Sequence, residues 1–163
     1  MENDILALAN AHIDSYAAAA ARGRKDTIPL RDLAAEYAIH YLPSWTAYTL
    51  GTTFTSNSRE ENAETLERTL NLYRKHGIGT DVRKVKSRVV KVSATSAICF
   101  ITWSLYPPTK GTEDKPDDGS ALEFEDVYGF RAKENGPLKG GWEYVVADQE
   151  VEAVMRRAPD IFH

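Results

Sequence analysis

The chain is poor in the residues that build covalent or metal-held frameworks. It has one cysteine, Cys99, in 163 residues, so no internal disulfide can form. Because Cys99 lies in an apolar strand-like run, it reads as a packed thiol in a reducing compartment. No Asn-x-Ser/Thr sequon occurs. The N-terminus shows no basic segment followed by an apolar core, so no signal peptide is expected. The longest apolar runs are far too short to span a bilayer. His12, His40 and His76 have no ligand spacing of the His-x-x-x-His kind, so no metal is expected. Gly23, Gly77, Gly79, Gly140 and Gly141 show no phosphate-loop spacing, so no nucleotide cofactor is expected. There is no excess of positive charge: the net charge of −4 argues against nucleic acid as a partner. These absences leave a cytoplasmic protein with no cofactor, no nucleic acid and no membrane in its expected chemistry.

What remains is ample for a core. At 163 residues, 42% hydrophobic and 27% charged, the chain is long enough for one domain (1–163) that buries its apolar surface without staples. Its most informative stretch is aromatic. Ala121 to Arg131, a turn through Glu134-Asn135-Gly136-Pro137, and Gly141 to Val146 read as a β-hairpin. Side chains alternate along a strand, so Phe124, Asp126, Tyr128 and Phe130 share one face, and Glu123, Glu125, Val127, Gly129 and Arg131 the other. A carboxylate thus sits among aromatic rings, where it is either paired and structural or part of a site.

The first half reads helical. Leu6, Ala9, Ile13, Tyr16 and Ala20 form a stripe from Asp4 to about Arg22, ended by Gly23. A second helix follows Pro29, with Leu30, Leu33, Ala34, Tyr37 and Tyr41 as its stripe and Pro43 as its limit. Ser44 to Asn57 reads as a short irregular or strand-like element. A third helix begins at Ser58, with Glu61 completing a capping box, and stops at Gly77 and Gly79. The second half reads as strands. Asp81 to Val92 is β-branched and basic, and the lysines suit an edge strand. Thr95 to Tyr106 is apolar on both faces, so both need cover, one by helices and the other by a partner subunit or the C-terminal segment. Residues 107–120 are rich in Pro, Gly, Asp and Lys and read as a mobile loop. A last helix starts at Asp148, read as its N-cap, and ends at Pro159.

Three helices followed by an antiparallel sheet resemble the nuclear transport factor 2-like superfamily, and within it the SnoaL-like branch. The similarity rests on element order, on Leu33 to Pro43 before Trp45, and on the closing strand Gly141-Trp142-Glu143-Tyr144-Val145-Val146. It implies an α+β fold: a cone-shaped α+β barrel, with three N-terminal helices packed in a curved antiparallel sheet and a short C-terminal helix. It also implies a deep apolar cavity and a homodimer through the outer sheet face. Relatives include isomerases, cyclases, dehydratases, epoxide hydrolases and pure binding proteins. Their catalytic groups do not carry over. Where the ketosteroid isomerases carry their base after the second helix, this chain has Ser44, Trp45 and Thr46. No Asp-Arg-Asp relay of the epoxide hydrolases can be placed, and His12, His40 and His76 read as lying on separate helices rather than as the dehydratases' histidine pair.

Four residues stand out as candidate catalytic groups. Asp126 is the acid or base, since burial among rings raises a carboxyl's pKa. Tyr48 and Tyr16 are oxyanion donors, and His40 is a second base. Tyr41, Trp45, Phe54, Tyr73, Trp103, Phe124, Tyr128, Trp142 and Tyr144 are ligand-binding candidates, because three tryptophans and eight tyrosines suit a flat apolar molecule. The same rings would equally serve as plain core or as a dimer interface. Two functions are expected to compete. One is cofactor-free isomerisation, cyclisation or dehydration of a small apolar or aromatic molecule. The other is non-catalytic binding of a ligand or a protein by the same fold.

Overall fold

The computed structural model describes residues 4–24, 27–108, 121–136 and 138–163. The chain runs α1 (Ile5–Ala21), α2 (Leu30–Ala38), β1 (Tyr41–Thr49), β2 (Thr52–Ser56), α3 (Arg59–Lys75), β3 (Asp81–Lys91), β4 (Ser96–Tyr106), β5 (Leu122–Ala132), β6 (Gly140–Val146) and α4 (Asp148–Arg157). The expected loop 107–120 lies outside the described residues except for Pro107 and Pro108.

Six strands form one curved sheet in the order β2-β1-β6-β5-β4-β3. It is mixed rather than wholly antiparallel, since β1 pairs β6 in parallel, with Ala47 opposite Val145. It is not closed into a barrel: β2 and β3 are its two edges. The basic strand is therefore an edge strand. Arg83 stands over the Tyr106 ring at 4.9 Å and Arg88 over Phe100 at 4.1 Å, so two of its cations lie over the aromatic rings of β4.

Ser44 to Asn57 proves to be a tight hairpin. Thr49 pairs with Thr52 across Leu50-Gly51, whose φ values of 49° and 83° are both positive, the geometry that matches strand twist in two-residue turns. Tyr41 leaves the helical stripe and opens β1, because α2 ends at Ala38. Helix α1 buries Ile5 instead of Leu6, which is 38% exposed, together with Ala9, His12, Ile13 and Tyr16. Its C-terminal turn presses on β3: the Thr80 hydroxyl donates to the Gly23 carbonyl at 3.1 Å, and a Cβ on Gly23 would stand 2.2 Å from the Thr80 carbonyl oxygen.

Helix α3 starts where its capping sequence places it. Ser58 Oγ accepts the Glu61 N–H at 3.1 Å, and Glu61 reaches back to the Asn57 N–H at 3.2 Å. Such a cap contributes about 1 kcal/mol. Asp148 is not an N-cap. It is the first residue of α4, and its Oδ1 accepts the Leu50 N–H at 2.7 Å, fixing the β1–β2 turn to the last helix.

The helices lie on one side of the sheet. Ala97, Cys99, Ile101, Trp103 and Leu105 of β4 are buried beneath them, while Ile98, Phe100 and Tyr106 on the outer side are half-buried. The last helix does not cover that outer side. It continues past the end of β6 along the free first half of β5, where Gln149 Oε1 accepts the Glu125 N–H at 3.0 Å. Its N-terminus thereby comes close to the residues that β5 points inward.

Candidate functional site

The inward faces of β1, β4 and β5 and the helices above them enclose a cavity of about 390 Å3, within the range of roughly 300–1,000 Å3 common for small-molecule sites. Strand alternation places its walls. On β5, Phe124, Asp126 and Tyr128 point in; on β4, Trp103 pairs with Phe124 and also points in. Tyr41 and Trp45 come from β1 and Phe54 from β2. Tyr16 of α1 and Tyr73 of α3 complete the predicted set that reaches the cavity. Phe162, which lines it while 45% exposed, marks its mouth.

Four predicted residues lie elsewhere. Tyr48 is 45% exposed on the outer side of the sheet. It stands three positions after Trp45, an odd offset, so on one regular strand the two cannot share a face. Tyr144 is also on the outer side, where its ring lies over Gly129; a Cβ there would meet a ring carbon at 2.1 Å. Trp142 is fully buried one layer behind the wall, 4.7 Å from the Tyr128 ring and 4.5 Å from the His12 ring. His40 follows α2 and lies outside the cavity. Its Nδ1 donates to the Glu36 carbonyl at 2.8 Å, which leaves Nε2 to accept the Ser15 hydroxyl at 2.9 Å. His12 Nε2 donates to the His40 carbonyl at 2.9 Å, which also accepts the Trp142 N–H. The two histidines therefore meet, with ring centroids 5.4 Å apart, and tie α1 to the start of β1. Burial holds both below the usual histidine range, His12 at about 4.

The polar groups of the cavity form three short hydrogen-bonded sets. Trp103 Nε1 donates to the Tyr128 hydroxyl at 3.0 Å, and that hydroxyl donates to Asp126 Oδ2 at 3.4 Å. The Tyr73 hydroxyl donates to Glu150 Oε2 at 2.6 Å. The Tyr16 and Tyr41 hydroxyls bond each other at 2.7 Å. Asp126 is 2% exposed, and its Oδ1 has no hydrogen-bond partner among the described residues. Burial pushes its carboxyl well above the usual carboxylate range. The Glu150 carboxylate beside it pushes the same way, and Tyr128 opposes only in part. Burial likewise raises the phenols of Tyr16, Tyr41, Tyr73 and Tyr128, so at neutral pH they are neutral donors.

Glu150 is the site residue that the sequence reading passed over. As an acid in the first turn of α4 it has a sufficient local explanation in the helix dipole. Only the placement of α4 against β5 brings it to Asp126. Tyr37, another wall residue, is part of the α2 stripe and carries no separate sequence signal. Arg131 is on the outer side, paired with Glu143 at 3.0 Å, and does not balance Asp126.

Among the described residues no helix is long and apolar enough to cross a membrane, and no group of three or more His, Cys, Asp or Glu side chains is placed to hold a metal ion. No protein-family model and no curated protein sequence matches the chain. Solved structures do match. A ketosteroid isomerase-like protein from Erwinia carotovora atroseptica is 17% identical, with a TM-score of 0.60 over 88% of this chain and 95% of that one. An NTF-2 like protein of unknown function from Shewanella oneidensis is 12% identical, with a TM-score of 0.58 over 88% and 98%. An NTF2-like protein with a cystatin-like fold from Novosphingobium aromaticivorans is 14% identical, with a TM-score of 0.52 over 86% and 78%. The helices, the mixed curved sheet and these likenesses together identify the architecture as the nuclear transport factor 2-like fold.

Proposed function

We propose that the protein is a SnoaL-like small-molecule protein whose cavity takes a compact apolar or aromatic compound, with Asp126 as the group that exchanges a proton with it. The observation that carries this reading is the unpartnered Oδ1 of Asp126 in a cavity walled by aromatic rings. A buried polar atom without a partner costs free energy that a ligand's donor or acceptor would recover. The raised carboxyl suits acid–base work near neutral pH, and one solved structure of this fold is described as ketosteroid isomerase-like. The reaction class is cofactor-free isomerisation, cyclisation or dehydration. In each, Asp126 removes a proton from one carbon or oxygen and returns it to another. The paired Tyr16 and Tyr41 hydroxyls would steady the negative charge that develops on the substrate oxygen.

A second reading is binding without turnover. It is favoured by the positions of Tyr48 and His40, two of the four expected catalytic groups, outside the cavity. In either case we propose a homodimer through the outer sheet side, where Ile98, Phe100, Val127 and Val146 are only half-buried.

Native mass spectrometry of the purified protein, followed by denaturation, tests the binding half. A released apolar compound supports it. Protein that is empty and takes up no aryl compound on incubation overturns it. For catalysis, Asp126→Asn should abolish turnover of the identified compound in a folded protein; retained turnover removes Asp126 from the reaction.

A further inference from the structure

We propose that the cavity's ligand is a cation: a protonated amine joined to an aryl or compact apolar body, held by Asp126 and Glu150. This rests on the cavity reading above and names the chemistry of the polar group that Asp126 meets.

The charge inventory of the cavity is one-sided. Among the described residues that line it, the only carboxyl side chains are Asp126 and Glu150; there is no Lys, Arg or His. The nearby cations are engaged elsewhere. Arg74 donates to the Ile28 carbonyl at 3.2 Å and to the Thr80 hydroxyl, and Lys84 pairs with Asp14 at 3.2 Å on the outside of α1. A carboxylate or phosphate ligand would enter next to two acids with nothing to balance it.

The walls point the same way. Tyr41, Trp45, Tyr73, Trp103, Phe124 and Tyr128 come from β1, α3, β4 and β5 and surround the acids. The faces of such rings carry partial negative charge and attract an ammonium that has left water, an effect of roughly 2 kcal/mol or more when desolvated. An ammonium brings three donors. Asp126 Oδ1, buried and unpartnered, accepts one. Glu150 accepts from Tyr73 through Oε2, and its other oxygen can take a second.

Two carboxyls this close repel when both are ionised, and in the empty cavity Asp126 holds its proton more tightly than a free carboxyl does. The groups that face it are Glu150 from α4, Tyr128 on its own strand, Tyr41 from β1 and Tyr73 from α3. A bound ammonium stabilises the ionised pair, so Asp126 releases its proton as the amine binds. The charge balances: one cation enters and one proton leaves to solvent.

The test uses Trp45 and Trp103 fluorescence and calorimetry on the whole protein, with phenethylamine and its naphthyl analogue as cations, phenethyl alcohol as the neutral match and phenylacetate as the anion. The proposal expects the amines to bind at least about tenfold tighter than the alcohol, phenylacetate not to bind, and amine heats that vary with the buffer's ionisation enthalpy as a proton is released. Asp126→Asn and Glu150→Gln should each reduce the amine preference while alcohol binding persists, which also shows that the variants are folded. Alcohol binding as tight as amine binding overturns the cation and leaves the apolar cavity standing. A preference that survives in the double variant overturns the role of the two acids. Failure of all the probes overturns both this inference and the reading beneath it.

Discussion

The Tyr73 hydroxyl donates to Glu150 Oε2 at 2.6 Å and thereby joins α3 to α4 across the cavity. Tyr73 is 6% exposed and its phenol is held neutral by burial. This bond fixes the carboxylate that stands beside Asp126, so the geometry of the acid pair depends on a tyrosine from α3, an element that carries neither acid. Tyr73→Phe removes only the donor. The expected loss is about 1.5–3 kcal/mol, the usual range for a hydrogen bond to a charged acceptor, read as a lower urea midpoint at unchanged slope. An unchanged midpoint would show that water replaces the phenol without cost.

The buried His12 makes stability depend on pH. Its pKa is lowered from 6.5 to about 4, chiefly by burial and in smaller part by His40, while the bond to the His40 carbonyl opposes the shift. Between these values the unfolded chain binds a proton that the folded one refuses. The contribution is therefore complete above about pH 6.5 and is lost as pH falls towards 4. His40 is shifted in the same direction. The His12 part is on the order of 3 kcal/mol. Urea unfolding across this range should show the decline, and His12→Leu should flatten it. A slope unchanged in that variant would assign the effect to other groups.

Asp126 acts with the opposite sign. Its folded pKa lies above its unfolded value, so the folded chain holds a proton that the unfolded one gives up, and stability falls as pH rises past the ordinary carboxylate range. Asp126→Asn removes the titration. The variant should therefore have a higher melting temperature than the parent at neutral pH, and the gap should narrow in acid. A lower melting temperature at neutral pH would mean that the carboxylate has a partner worth more than its burial costs.

On the outer side, Gly129 leaves room for the Tyr144 ring. Gly129→Ala should cost on the order of 1 kcal/mol, because the half-exposed ring can swing aside. In a Tyr144→Ala background the same change should be close to neutral. Additive losses in the double variant would mean that the glycine serves the backbone and not the ring.

Several of these features can be read directly from the residues. Alternation places Asp126 between Phe124 and Tyr128 on one face, and Ser58 with Glu61 marks the start of α3, because both signals are local. The β1–β2 hairpin is harder to read. Its turn is Leu50-Gly51, with a leucine at positive φ where Asn or Asp would be the recognisable choice. Without the strand assignment, the parity that turns Tyr48 outward could not be applied. Glu150 was hidden for a different reason: an acid early in a helix has a sufficient local explanation in the helix dipole.

By itself the sequence determined the helical first half, the strand-rich second half and the aromatic strand with a carboxyl among its rings. Each follows from spacing along a few consecutive residues, where backbone geometry alone decides which side chains share a face. Only the tertiary structure decided that β1 runs parallel to β6, that the sheet stays open, that Trp142 lies behind the wall and that His12 meets His40. It also decided that Glu150 stands beside Asp126. These are pairings between segments far apart in the chain, and they are fixed by which apolar faces can be buried together. The chemistry of the cavity comes from such a pairing, because two carboxyls perturb each other through the distance between them in space, whatever their separation along the chain.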